Sequence, residues 1–147
     1  MDKIDSLDKI NALVSDIRSL RKGYLTNFFL DRKKHSLWIE KGELFYVSFP
    51  DCYFLLHLTN SVNNLFFITT TSQQLAENLK AFLPIFAEQM VVDIVGDAKI
   101  VDLNDVFVEQ GFSVYEQLYR MNRIGTLEFK EIDTMFALRK MSMLKWC

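Results

Sequence analysis

The histidines and cysteines are the residues of this chain whose chemistry could most readily define an active site. His57 lies in the apolar run of residues 54–58, where a histidine packed in the core or on a sheet surface is commoner than a general base. His35 follows the basic residues 32–34 and is most simply interpreted as part of a solvated turn. No cysteine, histidine and carboxylate residues have metal-site spacing, and no serine or cysteine lies in a nucleophile motif. The sequence therefore favours neither metal-dependent nor nucleophilic catalysis.

Asp93 is the carboxylate with the most informative position. It interrupts the apolar residues 91–95, whose pattern predicts a short strand. A carboxylate on a half-buried strand is expected to face water or a cleft, because burying a charge without a partner is costly. We therefore predict that Asp93 is a substrate-binding residue that contacts an amine.

The composition limits the class of protein. Half of the 147 residues are hydrophobic and 13 are phenylalanine, which is enough for one core. The formal net charge is −2, without the basic excess of a nucleic-acid-binding protein. Charged residues are spread through the first twenty positions, which excludes a signal peptide, and no apolar stretch is long enough for a membrane span. Cys52 is interpreted as a buried free thiol. We expect a cytoplasmic domain that binds neither nucleic acid nor membrane.

The hydrophobic spacing predicts the elements that would position these residues. The first twenty residues carry one apolar stripe at helical spacing, which predicts an amphipathic helix with Gly23 as a stop. Residues 24–32 could form a short helix or an approach to a sheet. A meander of four strands is predicted over residues 37–40, 43–49, 52–59 and 65–71.

Helical spacing returns after this meander. Thr71 and Gln74 fit a capping box, with Ser72 an equally good cap, so a helix is predicted to begin there and to stop or kink near Pro84. A strand (residues 90–95), a helix (101–110), a strand (113–122) and a terminal helix (128–147) follow. The terminal helix has one apolar side, formed by Phe129, Ile132, Met135 and Phe136. The predicted fold class is α+β, with a central mixed, largely antiparallel sheet and helices on both faces.

Two late segments resemble those of a known family. Residues 105–112 read Asp-Val-Phe-Val-Glu-Gln-Gly-Phe, and the strand after them ends in Tyr119-Arg120-Met121. They are similar to the late helix of the GNAT (Gcn5-related N-acetyltransferase) family, which ends in Tyr-x-x-x-Gly-Phe, and to its next strand, which often finishes in Arg-Met. The order of elements from residue 37 to residue 123 resembles this family too. The resemblance implies a GNAT-like fold with acetyl-CoA as cofactor.

The resemblance also places a cofactor site. In this family, glycines after the fourth strand let backbone N–H groups at the next helix start hold the pyrophosphate of CoA. The matching cofactor-binding positions here are Thr70, Thr71, Ser72, Gln73 and Gln74. Because residues 69–76 contain no glycine, we predict weak or absent binding of acetyl-CoA. Phe107 stands where many members carry a tyrosine that resembles a general acid, and phenylalanine has no proton to donate, so no catalytic residue is predicted.

Three hypotheses about function follow. The leading one is a GNAT-like domain with a degenerate acetyl-CoA loop that acts as a non-catalytic binding or structural module. The alternatives are an active acetyl-CoA-dependent N-acetyltransferase acting on a small-molecule or peptide amine, and a dimerisation module without a ligand. Residues 1–125 would form the GNAT-like domain. Residues 126–147 would form a helix that contacts a second GNAT-like domain or a second copy of the chain.

Overall fold

The computed structural model describes residues 1–86, 88–96, 101–123 and 136–146, which form four helices and eight strands. The helices are α1 (Leu7–Ser19), α2 (Arg32–Lys41), α3 (Ser72–Phe82) and α4 (Val101–Glu109). The strands are β1 (Asp2–Lys3), β2 (Leu25–Thr26), β3 (Leu44–Phe49), β4 (Cys52–His57), β5 (Asn63–Thr69), β6 (Met90–Gly96), β7 (Phe112–Arg123) and β8 (Phe136–Trp146).

The strands form one mixed, mostly antiparallel sheet in the order β1-β3-β4-β5-β6-β8-β7. Only β5 and β6 are parallel among the strand pairs of the described residues, and α3 connects them. The short strand β2 lies outside this order and pairs with the end of β5. The predicted α+β class is confirmed in these terms.

Two apolar clusters cover the two faces of the sheet, because successive strand residues point to opposite sides. On one face Phe54 and Phe67 pack with Leu79 of α3 and Phe107 of α4. On the other face, the buried side of α1 and part of α2 pack on the alternate residues of the same strands. The buried residues of this layer from α1 and the strands are Ile10, Leu13, Ile17, Leu44, Leu55 and Ile68.

The helix starts follow from their capping residues. The side chains of Ser6, Asp31 and Thr71 each accept a hydrogen bond from the backbone N–H three residues later, as N-caps do. The cap predicted at Thr71 is confirmed, and α3 ends at Phe82, two residues before Pro84. None of the helices within the described ranges has the length and apolar character needed to cross a membrane.

The strand predicted over residues 37–40 is wrong, because these residues belong to α2. The helix is fixed by its ends. Asp31 caps the first turn, and Gly42 takes a left-handed conformation with φ of 71° that ends the last turn. Four residues are too few for their apolar pattern to separate a helix from a strand.

The helix predicted over residues 128–147 is also wrong where the chain is described, since residues 136–146 form β8. This strand lies between β6 and β7 and pairs with both of them. The strand that ends at Arg123 therefore joins the sheet through β8 and does not pair with β6 in the described order. Phe129, Ile132 and Met135, on which the apolar side of the predicted helix depended, lie outside the described residues.

Candidate functional site

Several hydrogen bonds between residues far apart in the sequence lie where β5 and β6 separate. These parallel strands pair at Asn63 with Met90 and at Asn64 with Val91, and the described pairing then ends. We call the gap beyond this point the β5–β6 cleft. The carboxyl ends of parallel strands, where neighbours diverge, are common ligand-binding positions in open sheets.

A tight connection brings residues of the chain's own N-terminal part to this cleft. After α1, Arg21 and Gly23 have φ values of 54° and 112°, so the backbone reverses sharply. A Cβ atom at Gly23 would lie 2.6 Å from the carbonyl oxygen of Thr70. Only glycine allows this close approach, which places the following residues beside the end of β5.

The strand β2 then continues the hydrogen bonding of β5. Leu25 and Thr26 pair antiparallel with Thr69 and Ile68. The hydroxyl of Thr26 donates to the carbonyl oxygen of Phe67 at 2.6 Å and accepts from the N–H of Phe28 at 3.0 Å. This edge of β5 is thus covered by the chain itself.

Asn27 completes the cover with its side-chain amide. Its Oδ1 accepts a hydrogen bond from the N–H of Phe67 at 2.7 Å. Its Nδ2 donates to the carbonyl oxygens of Leu65 at 3.2 Å and Asp93 at 3.1 Å. The residue is buried, and its amide bridges β5 and β6 where their backbones no longer pair. We call residues 25–27 the cleft segment.

The cofactor positions predicted from the resemblance lie at the end of β5 and the start of α3. Thr70 is buried, whereas Thr71, Ser72 and Gln73 are exposed and Gln74 is half-buried. The hydroxyl of Thr71 accepts from the N–H of Gln74 at 3.1 Å, so it serves as the helix cap. The amide of Gln73 donates to Glu77 at 3.2 Å.

Asp93 lies in the middle of β6 and is half-buried. Its neighbours Val92 and Ile94 are in the core on the α3 and α4 side, so Asp93 lies on the α1 and α2 side of the sheet. Its Oδ1 atom is buried, and its carbonyl oxygen accepts from Asn27. The structure thus joins Asp93 to β5 through Asn27. Its contact with a substrate amine stays a prediction.

Asn27 is the residue that the sequence reasoning missed. The pattern of residues 24–32 does not distinguish a short helix from an approach to the sheet. The available signal was a polar pair, Thr26 and Asn27, between the apolar residues Leu25 and Phe28. A polar residue amid apolar ones is expected to have hydrogen-bonding partners when buried.

The two histidines lie in one aromatic cluster on the α1 and α2 side of the sheet. The ring of Trp38 stacks on His57 with centroids 3.7 Å apart, and it meets the edge of His35 at 4.8 Å. His57 Nε2 lies 3.1 Å from Glu43 Oε2. The core or sheet-surface interpretation of His57 fits this arrangement.

The solvated-turn interpretation of His35 is wrong. The residue is 2% exposed, and its Nδ1 accepts from the N–H of Asp31 at 3.0 Å. Burial, followed by the charge of Lys34, lowers the pKa of His35 to about 4. Because α2 replaces the predicted strand and turn, it carries His35 inward on a helix.

The remaining reactive groups of the described residues form no second site of this kind. Cys52 is buried and free as predicted, and burial raises the pKa of its thiol to about 12, so it is a poor nucleophile. In the described ranges, no group of three or more histidine, cysteine, aspartate or glutamate residues could hold a metal ion. A cavity of about 740 Å³ lies at the other end of the β5–β6 pair, lined by residues 59–63, Glu88, Gln89 and Val91.

The polar groups at the cleft form hydrogen bonds within the chain. Backbone groups of β5 that an extended ligand could use are engaged by the cleft segment, and the first turn of α3 is capped by Thr71. Comparison of the chain with known proteins found no matching family model, no matching curated protein and no matching solved structure.

Proposed function

We propose that this chain is a GNAT-like module without catalytic activity, in which the cleft segment fills the space that a cofactor would enter. The proposal rests on the hydrogen bonds that residues 25–27 form with the backbone of residues 65–69 along the edge of β5. A ligand that ran along this edge would first have to displace these hydrogen bonds. Its own bonds would then only replace those lost.

The order of elements supports the GNAT-like part of the proposal. A meander of antiparallel strands is followed by α3, β6, α4 and the closing strands, as the resemblance implies. The β5–β6 cleft lies beside the parallel pair joined by α3, which is where a ligand is expected in such a sheet.

The residues at the predicted cofactor turn do not fit acetyl-CoA. The turn after β5 has no glycine, and Thr70 is buried against Gly23. Among described non-glycine residues, only Arg21 and Asp51 have a positive φ, so Gln73 and Gln74 do not imitate glycine. Side chains therefore extend from the positions where the family's backbone approaches the pyrophosphate.

The environment of Phe107 supports the absence of catalysis. Its side chain is fully buried, with its ring centroid 5.1 Å from that of Phe112 and 5.9 Å from that of Phe67. This ring belongs to the core between α4 and the sheet, so the position offers packing and no acid.

Calorimetry and thermal unfolding of the full chain with acetyl-CoA test the proposal. We expect no heat of binding and no rise in melting temperature, because a ligand raises it only when it binds the native state. An active acetyltransferase measured beside it serves as a positive control. A micromolar dissociation constant for the unaltered chain would overturn the proposal in favour of an active N-acetyltransferase.

A variant pair tests whether the cleft segment is the obstacle. Asn27→Gly removes the amide bridge, and Asn60→Ala changes an exposed asparagine in the loop after β4. If the amide bridge is the main obstacle, acetyl-CoA should raise the melting temperature of Asn27→Gly and not that of Asn60→Ala; no rise in either variant would leave the glycine-free turn as the obstacle. The predicted partner, a second GNAT-like domain or a second copy of the chain, stays a proposal. Sedimentation over a range of concentrations tests whether copies of the chain associate.

A further inference from the structure

A groove of about 380 Å³ lies between α1 and the residues that lead from β2 to α2. Its α1 side is formed by residues one and two turns apart, among them Val14 and Arg18. Its other side is formed by Thr26 and by four aromatic and aliphatic residues: Tyr24, Phe28, Phe29 and Leu30. The volume is at the lower end of the range of small-molecule sites. We call this feature the Arg18 groove.

Among the described lining residues of the Arg18 groove, the charged group is the guanidinium of Arg18. This group lies over the ring of Tyr24, with Cζ 4.4 Å from the ring centroid. The ion pairs formed within the described ranges are Lys22 with Asp51 and His57 with Glu43, so Arg18 belongs to neither. The groove thus presents an exposed cation that forms no ion pair with a described carboxylate.

The rim of the groove is unusually apolar for a surface. The side chains of Tyr24 and Leu30 are each more than a third exposed, and Phe29 is 64% exposed. Contiguous exposed apolar residues around a concave site mark ligand or partner surfaces more often than isolated ones do. Apolar walls with one convergent charged group are typical of small-molecule pockets.

We propose that the Arg18 groove binds a small hydrophobic monocarboxylate, with the carboxylate on Arg18 and the aliphatic or aromatic body along Phe28, Phe29 and Leu30. The guanidinium is planar and matches a carboxylate with two parallel hydrogen bonds. A cationic ligand would be repelled, and a neutral one would leave the guanidinium without an acceptor. A polyphosphate would bring more charge than this groove has. The groove adjoins the cleft segment through Thr26, and the proposal goes beyond the proposed function because it assigns this groove a ligand of its own.

Three ligands with the same ten-carbon chain distinguish these cases: decanoate, 1-decanol and decylamine. Calorimetry with the full chain should give saturable binding of decanoate, at least about tenfold tighter than decanol, because a charge-assisted hydrogen bond is lost in the alcohol. Decylamine should not bind. Acetate should not bind either, since the apolar body supplies most of the burial.

Two matched variant pairs locate the site. Arg18→Gln should weaken decanoate at least about tenfold and leave decanol unchanged, whereas Arg21→Gln, three residues along and exposed, should behave as the unaltered chain. Phe29→Ser should weaken both ligands, whereas Ile85→Ser, which changes another exposed apolar residue, should weaken neither. All four positions are exposed, so circular dichroism should show the fold retained.

The proposal is overturned if decanoate and decanol bind equally, if Arg18→Gln and Arg21→Gln bind decanoate alike, or if the unaltered chain shows no saturable binding of decanoate. Equal weakening by Phe29→Ser and Ile85→Ser would place any binding elsewhere and would count against the groove.

Discussion

Asn27 places an amide, with one acceptor and two donors, among three backbone groups of two strands. Phe67 supplies the N–H, and Leu65 and Asp93 supply the carbonyl oxygens. An asparagine side chain reproduces the hydrogen-bonding pattern of a peptide group, so it can extend a sheet where no strand continues. At the scale of single residues, this amide has the clearest structural role in the cleft.

Replacement of Asn27 should lower the free energy of unfolding more than replacement of an exposed asparagine. Asn27→Ala leaves three backbone groups without their partner, and we expect a loss of about 2–4 kcal/mol. Asn27→Asp should lose at least as much, because a carboxylate oxygen would face two carbonyl oxygens. Urea denaturation measures these values, with Asn60→Ala as the control, expected within about 0.5 kcal/mol of the unaltered chain. Equal stability of Asn27→Ala and Asn60→Ala would contradict the bridging role.

His35 should make stability depend on pH between about 6.5 and 4. The folded pKa is lowered to about 4, chiefly by burial, so the folded imidazole stays neutral where the unfolded one takes up a proton. The unfolded state binds more protons in this window, and the free energy of unfolding therefore falls as pH falls. Above about pH 6.5 this contribution is fully present.

Denaturation of the unaltered chain and of His35→Phe at several pH values tests this dependence. The loss on acidification should be up to about 3 kcal/mol greater in the unaltered chain, an upper bound because Lys34 and Asp31 beside it are solvated. The difference between the two proteins isolates His35 from His57, which both contain. Parallel pH profiles would show that His35 is not kept neutral by the fold.

At the scale of elements, the sequence predicted those features that depend on residues close together in the chain. The cap at Thr71 and the apolar face of α3 were predicted from the sequence and are present, because a helix start depends on residues three positions apart. The helix α2 was missed because Trp38 and Ile39 favour strands as much as helices. Its Asp31 cap and Gly42 end are the signals that identify it.

Distant contacts explain what the sequence could not predict. β8 is a strand because β6 and β7 pair with it on both sides, although Leu138, Arg139, Lys140 and Met141 are strong helix formers. Asp93 and the turn after β5 were predicted as site residues, and their contacts with a ligand stay predictions. The structural role of Asn27 was not predicted, since its partners are 38 to 66 residues away along the chain.

Gly23 and Gly42, two of the glycines with positive φ at the ends of elements, should differ in their tolerance of alanine. Gly23→Ala combines a φ of 112° with a Cβ 2.6 Å from a backbone carbonyl oxygen, so we expect a loss of roughly 2 kcal/mol or more. At Gly42 the added Cβ would meet the flexible end of Lys3, and the loss should be about 1 kcal/mol, from the left-handed backbone alone. Thermal and urea unfolding measure both. Equal stability of Gly23→Ala and Gly42→Ala would show that Gly23 can shift away from the end of β5 at little cost.

At the scale of the whole molecule, one sheet separates two apolar layers. The layer of α3 and α4 and the layer of α1 and α2 share β4 and β5, whose alternate residues enter both. The cleft segment joins the two strands where the sheet changes from an antiparallel meander to the parallel pair. Any change that opens the sheet at this point acts on both layers, so the two halves should unfold together.

Removal of the last strand tests how the sheet is held together. A chain ended at residue 125 lacks β8, which lies between β6 and β7, so the facing edges of both strands lose their hydrogen bonds. In the described sheet β7 pairs with β8, so it would lose this connection to β6, and unpaired strand edges promote aggregation. We expect this chain to be insoluble or to lose its cooperative thermal transition.

A chain that lacks residues 1–3 is the control. It loses only the edge strand β1, so it should keep the transition with a modest fall in melting temperature. If the chain ended at residue 125 is soluble, monomeric and as stable as the full chain, β8 does not hold the sheet together. The interpretation of residues 126–147 as a separate interaction segment would then be favoured again.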